Sequence, residues 1–122
     1  MANEIIDRTA LQKEAIYEYY AALLVDGWTE TADPDKSNGY LYKQTATITP
    51  VLSSAPAITA NSRFMSPAWY TPTRVAATDE TLDAALAIIG AGVTQSGAGT
   101  VTTVVTEKPS CDITVRWNLT AQ

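Results

Sequence analysis

The clearest pattern in the chain is an alternation of apolar and polar residues over positions 111–120. A period of two predicts a strand with one buried face, here formed by the apolar residues Cys111, Ile113, Val115, Trp117 and Leu119. Residues 100–106 predict a second strand. Because only a short Glu-Lys-Pro-Ser turn separates the two, we expect them to pair as an antiparallel hairpin.

A third strand is predicted over residues 40–49, where apolar and polar positions again alternate before Pro50. Residues 51–60 predict a further extended piece that Pro56 interrupts. Residues 61–77 contain two prolines and follow no clear period, which predicts irregular structure.

Helical spacing of apolar residues predicts two helices. The first covers about residues 9–26, with Thr9 and Gln12 as a capping box, and carries the apolar positions Leu11, Ala15, Ile16, Tyr19, Tyr20, Leu23 and Leu24. The second covers residues 79–89, with Thr78 as its N-cap. The order helix, strands, helix, hairpin predicts a single α+β domain over residues 1–122. Its antiparallel sheet of about four to five strands would carry both helices on one face.

Charge and targeting signals exclude several partners. The net charge is −5, and the eight Lys and Arg residues are scattered, so we expect no nucleic-acid partner. The chain shows neither a basic amphipathic helix nor a long apolar window, so we expect no membrane contact. A single cysteine and a polar start without a secretory signal predict synthesis in the cytoplasm.

The chain has no histidine and one cysteine, which removes imidazole-based catalysis and the common zinc sites. Glu14 and Glu18 would lie one turn apart on the predicted helix, where a solvated pair is the simpler interpretation. A loop beginning at Asp33 resembles a calcium loop only faintly, because its glycine is misplaced and Gln44 stands where a glutamate is needed. We therefore expect a protein that is not an enzyme and binds no cofactor or metal.

One irregular segment, residues 63–74, combines the residue types that dominate protein interfaces. Its candidate interface residues are Arg63, Phe64, Met65, Trp69, Tyr70 and Arg74. The alternative is that Phe64, Met65 and Trp69 fold back to close the open edge of the sheet. Tyr17, on the less apolar side of the first predicted helix, is a weaker candidate for the same surface.

These features favour a structural or interaction protein that acts as one subunit of a homo-oligomer or larger assembly. The charged share is low, at 17%, and the predicted strands are rich in threonine and alanine. Within that class the expectation is a small bacteriophage virion component, such as a capsid decoration or head–tail accessory protein. The alternative is a small cytoplasmic module that inhibits a host protein by binding that protein's basic surface through its own acidic surface. A third class is an enzyme using carboxylate or tyrosine chemistry.

Overall fold

The computed structural model describes residues 16–70 and 76–120, which form a mixed α+β structure of two antiparallel four-stranded sheets and one α-helix. The strands are β1 (Ile16–Leu23), β2 (Thr29–Glu30), β3 (Tyr42–Thr47), β4 (Thr49–Pro50), β5 (Trp69–Tyr70), β6 (Val93–Ser96), β7 (Thr100–Val105) and β8 (Ile113–Thr120). A short 3-10 turn, Val25–Gly27, follows β1, and the helix α1 is Ala76–Ala91.

The two central strands of the first sheet lie further apart in the sequence than the two central strands of the second sheet. The first sheet has the order β4-β1-β8-β5, and the second has the order β2-β3-β7-β6. In the first sheet, β1 and β8 pair over their whole length, from Ile16 opposite Thr120 to Leu23 opposite Ile113. In the second sheet, β3 and β7 pair from Tyr42 opposite Val105 to Thr47 opposite Thr100.

One hydrophobic core joins both sheets and the helix. Its largest side chains include Tyr19 of β1 and Trp117 of β8, which lie directly opposite each other in the ladder. Helix α1 contributes Leu82, Ala85 and Ile89 to the same cluster. Full burial of a side chain such as Leu82 or Ile89 stabilises the fold by about 1.5–3 kcal/mol relative to leaving it exposed. The core therefore fixes which face of each strand points inward.

The helix predicted over residues 9–26 is wrong for residues 16–26, which form β1 and the 3-10 turn. The segment fits both the helical period and the strand period of two, because nearly every residue from Ile16 to Leu24 is apolar or aromatic. The alternating set Tyr19, Ala21 and Leu23 is buried, and the residues between are exposed. Aromatic and β-branched residues favour strands, and β8 supplies a full-length partner that a local period cannot reveal. Residues 9–15, with the predicted capping box, lie outside the described residues.

The predicted hairpin is also wrong, although its two strands are confirmed as β7 and β8. They belong to different sheets, so the turn between them carries the chain from one sheet to the other. Pro109 is buried at this crossing. Closeness in sequence favours a hairpin, but β8 pairs instead with β1, whose apolar residues also fit helical spacing. The predicted single sheet with two helices is accordingly replaced by two sheets and, within the described residues, one helix.

The strand over 40–49 is confirmed in part: residues 42–47 form β3, whereas residues 49–50 form β4, which belongs to the other sheet. Residues 51–60 contain no strand. The helix over 79–89 is confirmed and is longer than predicted. Because it begins at Ala76, Thr78 lies inside the helix and is not its N-cap. Gly92 follows its end, where a Cβ atom would lie 2.1 Å from the carbonyl oxygen of Val104. Only glycine permits this close approach of the chain to β7.

A buried glutamine ties the end of β1 to β3. The Gln44 side-chain oxygen accepts a hydrogen bond from the Leu24 N–H at 2.8 Å, and its amide donates to the Leu24 carbonyl at 3.0 Å. Gly27 lies so close that a Cβ there would be 2.6 Å from the same oxygen. Both backbone groups at the exit from β1 are therefore satisfied by one side chain of the second sheet.

We expect Gln44→Leu to lower the free energy of unfolding by about 1–3 kcal/mol. The variant leaves the Leu24 N–H without its protein partner and removes one of the two hydrogen bonds to the Leu24 carbonyl, which also accepts from the Gly27 N–H. Urea unfolding followed by tryptophan fluorescence measures the change. The matched control is Gln95→Leu at an exposed position of β6. Equal stabilities for the two variants would contradict the role assigned to Gln44.

The Tyr19 hydroxyl gives the fold a dependence on alkaline pH. It donates to the Pro56 carbonyl at 2.6 Å, and burial, followed by repulsion from Tyr17, raises the pKa of Tyr19 above its ordinary value of 10.0. Above pH 10.0 the unfolded chain therefore holds fewer protons at this residue than the folded chain. Stability should fall as the pH rises from there through the raised pKa.

We expect Tyr19→Phe to lower the free energy of unfolding by about 1 kcal/mol at neutral pH, because the Pro56 carbonyl loses its donor. The variant cannot ionise at position 19, so this difference should shrink as the pH rises above 10.0. Urea unfolding at pH 8 and at about pH 10.5 measures both effects. A difference that stays constant over this range would contradict the assignment.

Candidate interaction surface

A row of three large side chains crosses the outer face of the first sheet. Tyr20 of β1 lies opposite Arg116 of β8, and Arg116 lies opposite Trp69 of β5. The neighbouring residues of each strand point into the core, so these three point away from it. The cross-strand register therefore places an arginine between a tyrosine and a tryptophan.

An ion pair holds the arginine in this row. Nη1 of Arg116 lies 3.0 Å from Oε1 of Glu18, which is on the same face of β1. That oxygen is shielded from solvent and makes no hydrogen bond of good geometry within the described residues, so the contact is electrostatic. Both side chains are 35% exposed, and such a pair contributes at most about 1 kcal/mol to stability. Its effect is to orient the guanidinium.

Met65 lies beside the row on the same face. Its N–H donates to the Asn118 carbonyl at 2.7 Å, and the preceding residue, Phe64, is bridged to Leu119 of the inward face. Alternation therefore turns Met65 outward, where it is 49% exposed. We call the set Glu18, Tyr20, Met65, Trp69 and Arg116 the outer patch. Tryptophan, tyrosine, methionine and arginine are the residue types enriched in protein interfaces.

The structure divides the candidates from segment 63–74 between the core and the surface. Phe64 packs edge-to-face on Trp117 with ring centroids 6.0 Å apart, and Tyr70 also packs against the core. Met65 and Trp69 belong to the outer patch. Arg63 is exposed, and its backbone pairs with Thr120 through bonds of 2.8 and 2.9 Å. Arg74 lies outside the described residues.

Tyr17 lies on β1 and packs against the core, so it does not join the outer patch. Three members of the patch are not among the candidates predicted from the sequence: Glu18, Tyr20 and Arg116. The sequence pattern places Arg116 on the polar face of the predicted strand 111–120 and Tyr20 on the apolar side of a predicted helix. Only the long-range pairing of β1 with β8 brings them together.

The described residues offer little metal or thiol chemistry. They contain no group of three or more His, Cys, Asp or Glu residues placed to hold a metal ion. In the loop that resembles a calcium loop, Oδ1 of Asp33 accepts hydrogen bonds from the backbone N–H and the hydroxyl of Ser37. This carboxylate therefore closes a turn. Cys111 is half-buried, with its sulfur 3.9 Å from the Thr81 carbonyl oxygen.

Comparison of the chain with models of known families, with curated proteins and with solved structures found no match. Among the residues that the structure describes, no helix combines the length and apolarity that crossing a membrane requires.

We expect a weak but measurable coupling between Glu18 and Arg116. A double-mutant cycle with Glu18→Gln and Arg116→Gln should give a coupling energy of at most about 1 kcal/mol, decreasing as salt is added. Urea unfolding of the four proteins measures it. A coupling of several kcal/mol that salt leaves unchanged would contradict the assignment of a solvated surface pair.

Proposed function

We propose that the protein is a non-enzymatic assembly subunit that binds other protein subunits through the outer patch. The observation that carries this proposal is the row Tyr20–Arg116–Trp69, aligned across three strands by their register. Truncations of tryptophan, tyrosine and arginine are the ones that most often cost more than about 2 kcal/mol of binding energy. Here the three are contiguous and face away from the core.

Rigidity supports the same proposal. The central member, Arg116, lies on β8, which is hydrogen-bonded on both sides, and its guanidinium is held by Glu18. A surface whose side chains are already ordered loses less conformational entropy on binding. The outer patch is therefore better prepared for a tight contact than a mobile loop with the same residues would be.

The charge of the patch favours an assembly subunit over the alternative, an acidic inhibitor of a basic protein. Its one carboxylate, Glu18, is paired with its one cation, Arg116, so the patch carries no net charge. An inhibitor of a basic surface would present unpaired carboxylates at its centre. The finer proposal, a bacteriophage virion component such as a capsid decoration or head–tail accessory protein, rests on the low charged share of 17% and the threonine-rich strands.

The test is self-association. We expect sedimentation velocity to show oligomers of the wild-type protein at tens of micromolar and to show weaker association for Trp69→Ser, by about 30-fold or more in dissociation constant. Trp69 is a partly exposed edge residue, so the variant should unfold at nearly the wild-type urea concentration. The matched control is Thr102→Ala, on the outer face of the second sheet, which should associate normally.

Two results would contradict the proposal. One is a wild-type protein that stays monomeric up to about 100 µM. At that concentration, even an interface with a binding free energy of about −8 kcal/mol would hold half or more of the chains in oligomers. The other is a Trp69→Ser variant that loses much of its stability and associates like the wild-type protein. Electron microscopy of the wild-type oligomers then shows whether they are closed particles or rings.

A further inference from the structure

The second sheet has an open edge at β6. The Gly97 N–H donates to the Thr100 carbonyl at 2.8 Å, and the Leu41 N–H donates to the Val105 carbonyl at 2.9 Å. The backbone N–H and C=O groups of a strand alternate in direction, so those of residues 100, 102 and 104 in β7 point toward β6. There they pair with the backbone of Gly97, Gln95 and Val93. The backbone N–H and C=O groups of Thr94 and Ser96 consequently point away from the sheet. Within the described chain no other backbone group pairs with them.

A groove lies along this open edge. One wall is Thr94, Gln95 and Ser96, the other is formed by residues 60–64, and the volume between them is about 620 Å³. A smaller depression of about 180 Å³ continues it past Phe64 and Ser66 toward Gly90 and Gly92. At one point the walls touch, where the Ser96 hydroxyl donates to the Ser62 carbonyl at 2.7 Å. The groove therefore combines a free strand edge with a facing wall.

The chemistry of the groove fits an extended backbone. Among the described residues, the lining includes no carboxylate, and Arg63 is the one charged side chain. The hydroxyl oxygen of Ser66 is shielded from solvent and makes no hydrogen bond within the described residues. Strand β6 also lacks the charge, proline and bulge that usually protect an edge from pairing. Outward N–H and C=O groups two residues apart match the repeat of one further strand.

We propose that the β6 edge accepts an extended, uncharged peptide segment of a neighbouring protein chain, which adds a fifth strand to the second sheet. Because residues 60–64 face the edge and contact it through Ser62 and Ser96, an isolated segment fits better than the sheet edge of a second copy. This inference deepens the proposed assembly function and rests on it for the identity of the partner, although the edge itself is separate from the outer patch.

The test uses a substitution that removes only the outward donor. Thr94→Pro deletes the N–H that points into the groove and removes no hydrogen bond of the β6–β7 ladder, so the sheet is expected to persist. It also removes the hydroxyl that contacts Thr103 at 2.9 Å. Thr94→Ala is the matched control, because it loses the same hydroxyl and keeps the N–H.

The probe is a yeast-displayed library of random ten-residue peptides, selected on the wild-type protein and then measured on each variant. We expect enriched peptides that bind wild type and Thr94→Ala alike and bind Thr94→Pro at least about tenfold more weakly. Hydrogen exchange should show the Thr94 amide slowed on binding. Trp69→Ser should bind these peptides normally, which separates a failure of the edge from a failure of the outer patch.

Three results would overturn the proposal. The first is that no peptide is enriched, and the second is that enriched peptides bind Thr94→Pro as tightly as Thr94→Ala. The third is self-association of the wild-type protein that Thr94→Pro abolishes and Trp69→Ser leaves intact, because the occupant of the edge would then be a second copy of this chain.

Discussion

The pairing of β1 with β8 is the constraint on which the rest of the structure depends. It joins residues 16–23 to residues 113–120 through an unbroken register and forms the centre of the first sheet. The pairing closes a loop of about 90 residues, and local contacts do not offset the entropy cost of that closure. Burial of apolar side chains offsets the cost, since Tyr19 and Trp117 lie opposite each other in this ladder and both are almost fully buried.

The same register determines the function we propose. In a strand, a shift of one residue moves every side chain to the other face. Such a shift in β1 would bring Tyr20 and Glu18 into the core and expose Tyr19, Ala21 and Leu23. The core thus excludes such a shift. In the observed register Tyr20 lies opposite Arg116, and β5 adds Trp69 to the same row. The residues of the proposed interface lie far apart in sequence and are positioned by the packing of other residues.

Local patterns predict the strands over 100–106 and 111–120 and the helix over 79–89. Residues 100–106 are all β-branched, residues 111–120 alternate strictly, and the apolar residues of 79–89 have helical spacing. The pattern of residues 16–24 does not distinguish a helix from a strand, since a run of apolar and aromatic residues fits helical and strand spacing alike. The partner that decides between them, β8, is remote in sequence. Residue type alone makes Trp69 a candidate interface residue. Residue type does not identify Arg116, because a polar residue on a strand indicates an interface only when its cross-strand neighbours are known.

The measurement that tests this account most directly is a nuclear Overhauser spectrum of the labelled protein over β1, β5 and β8. We expect cross-strand contacts that connect Tyr20 with Arg116 and Arg116 with Trp69, in the register of the first sheet. Helical contacts between residues three apart through Ile16–Leu23, with no contact to β8, would contradict both the fold and the interaction surface derived from it.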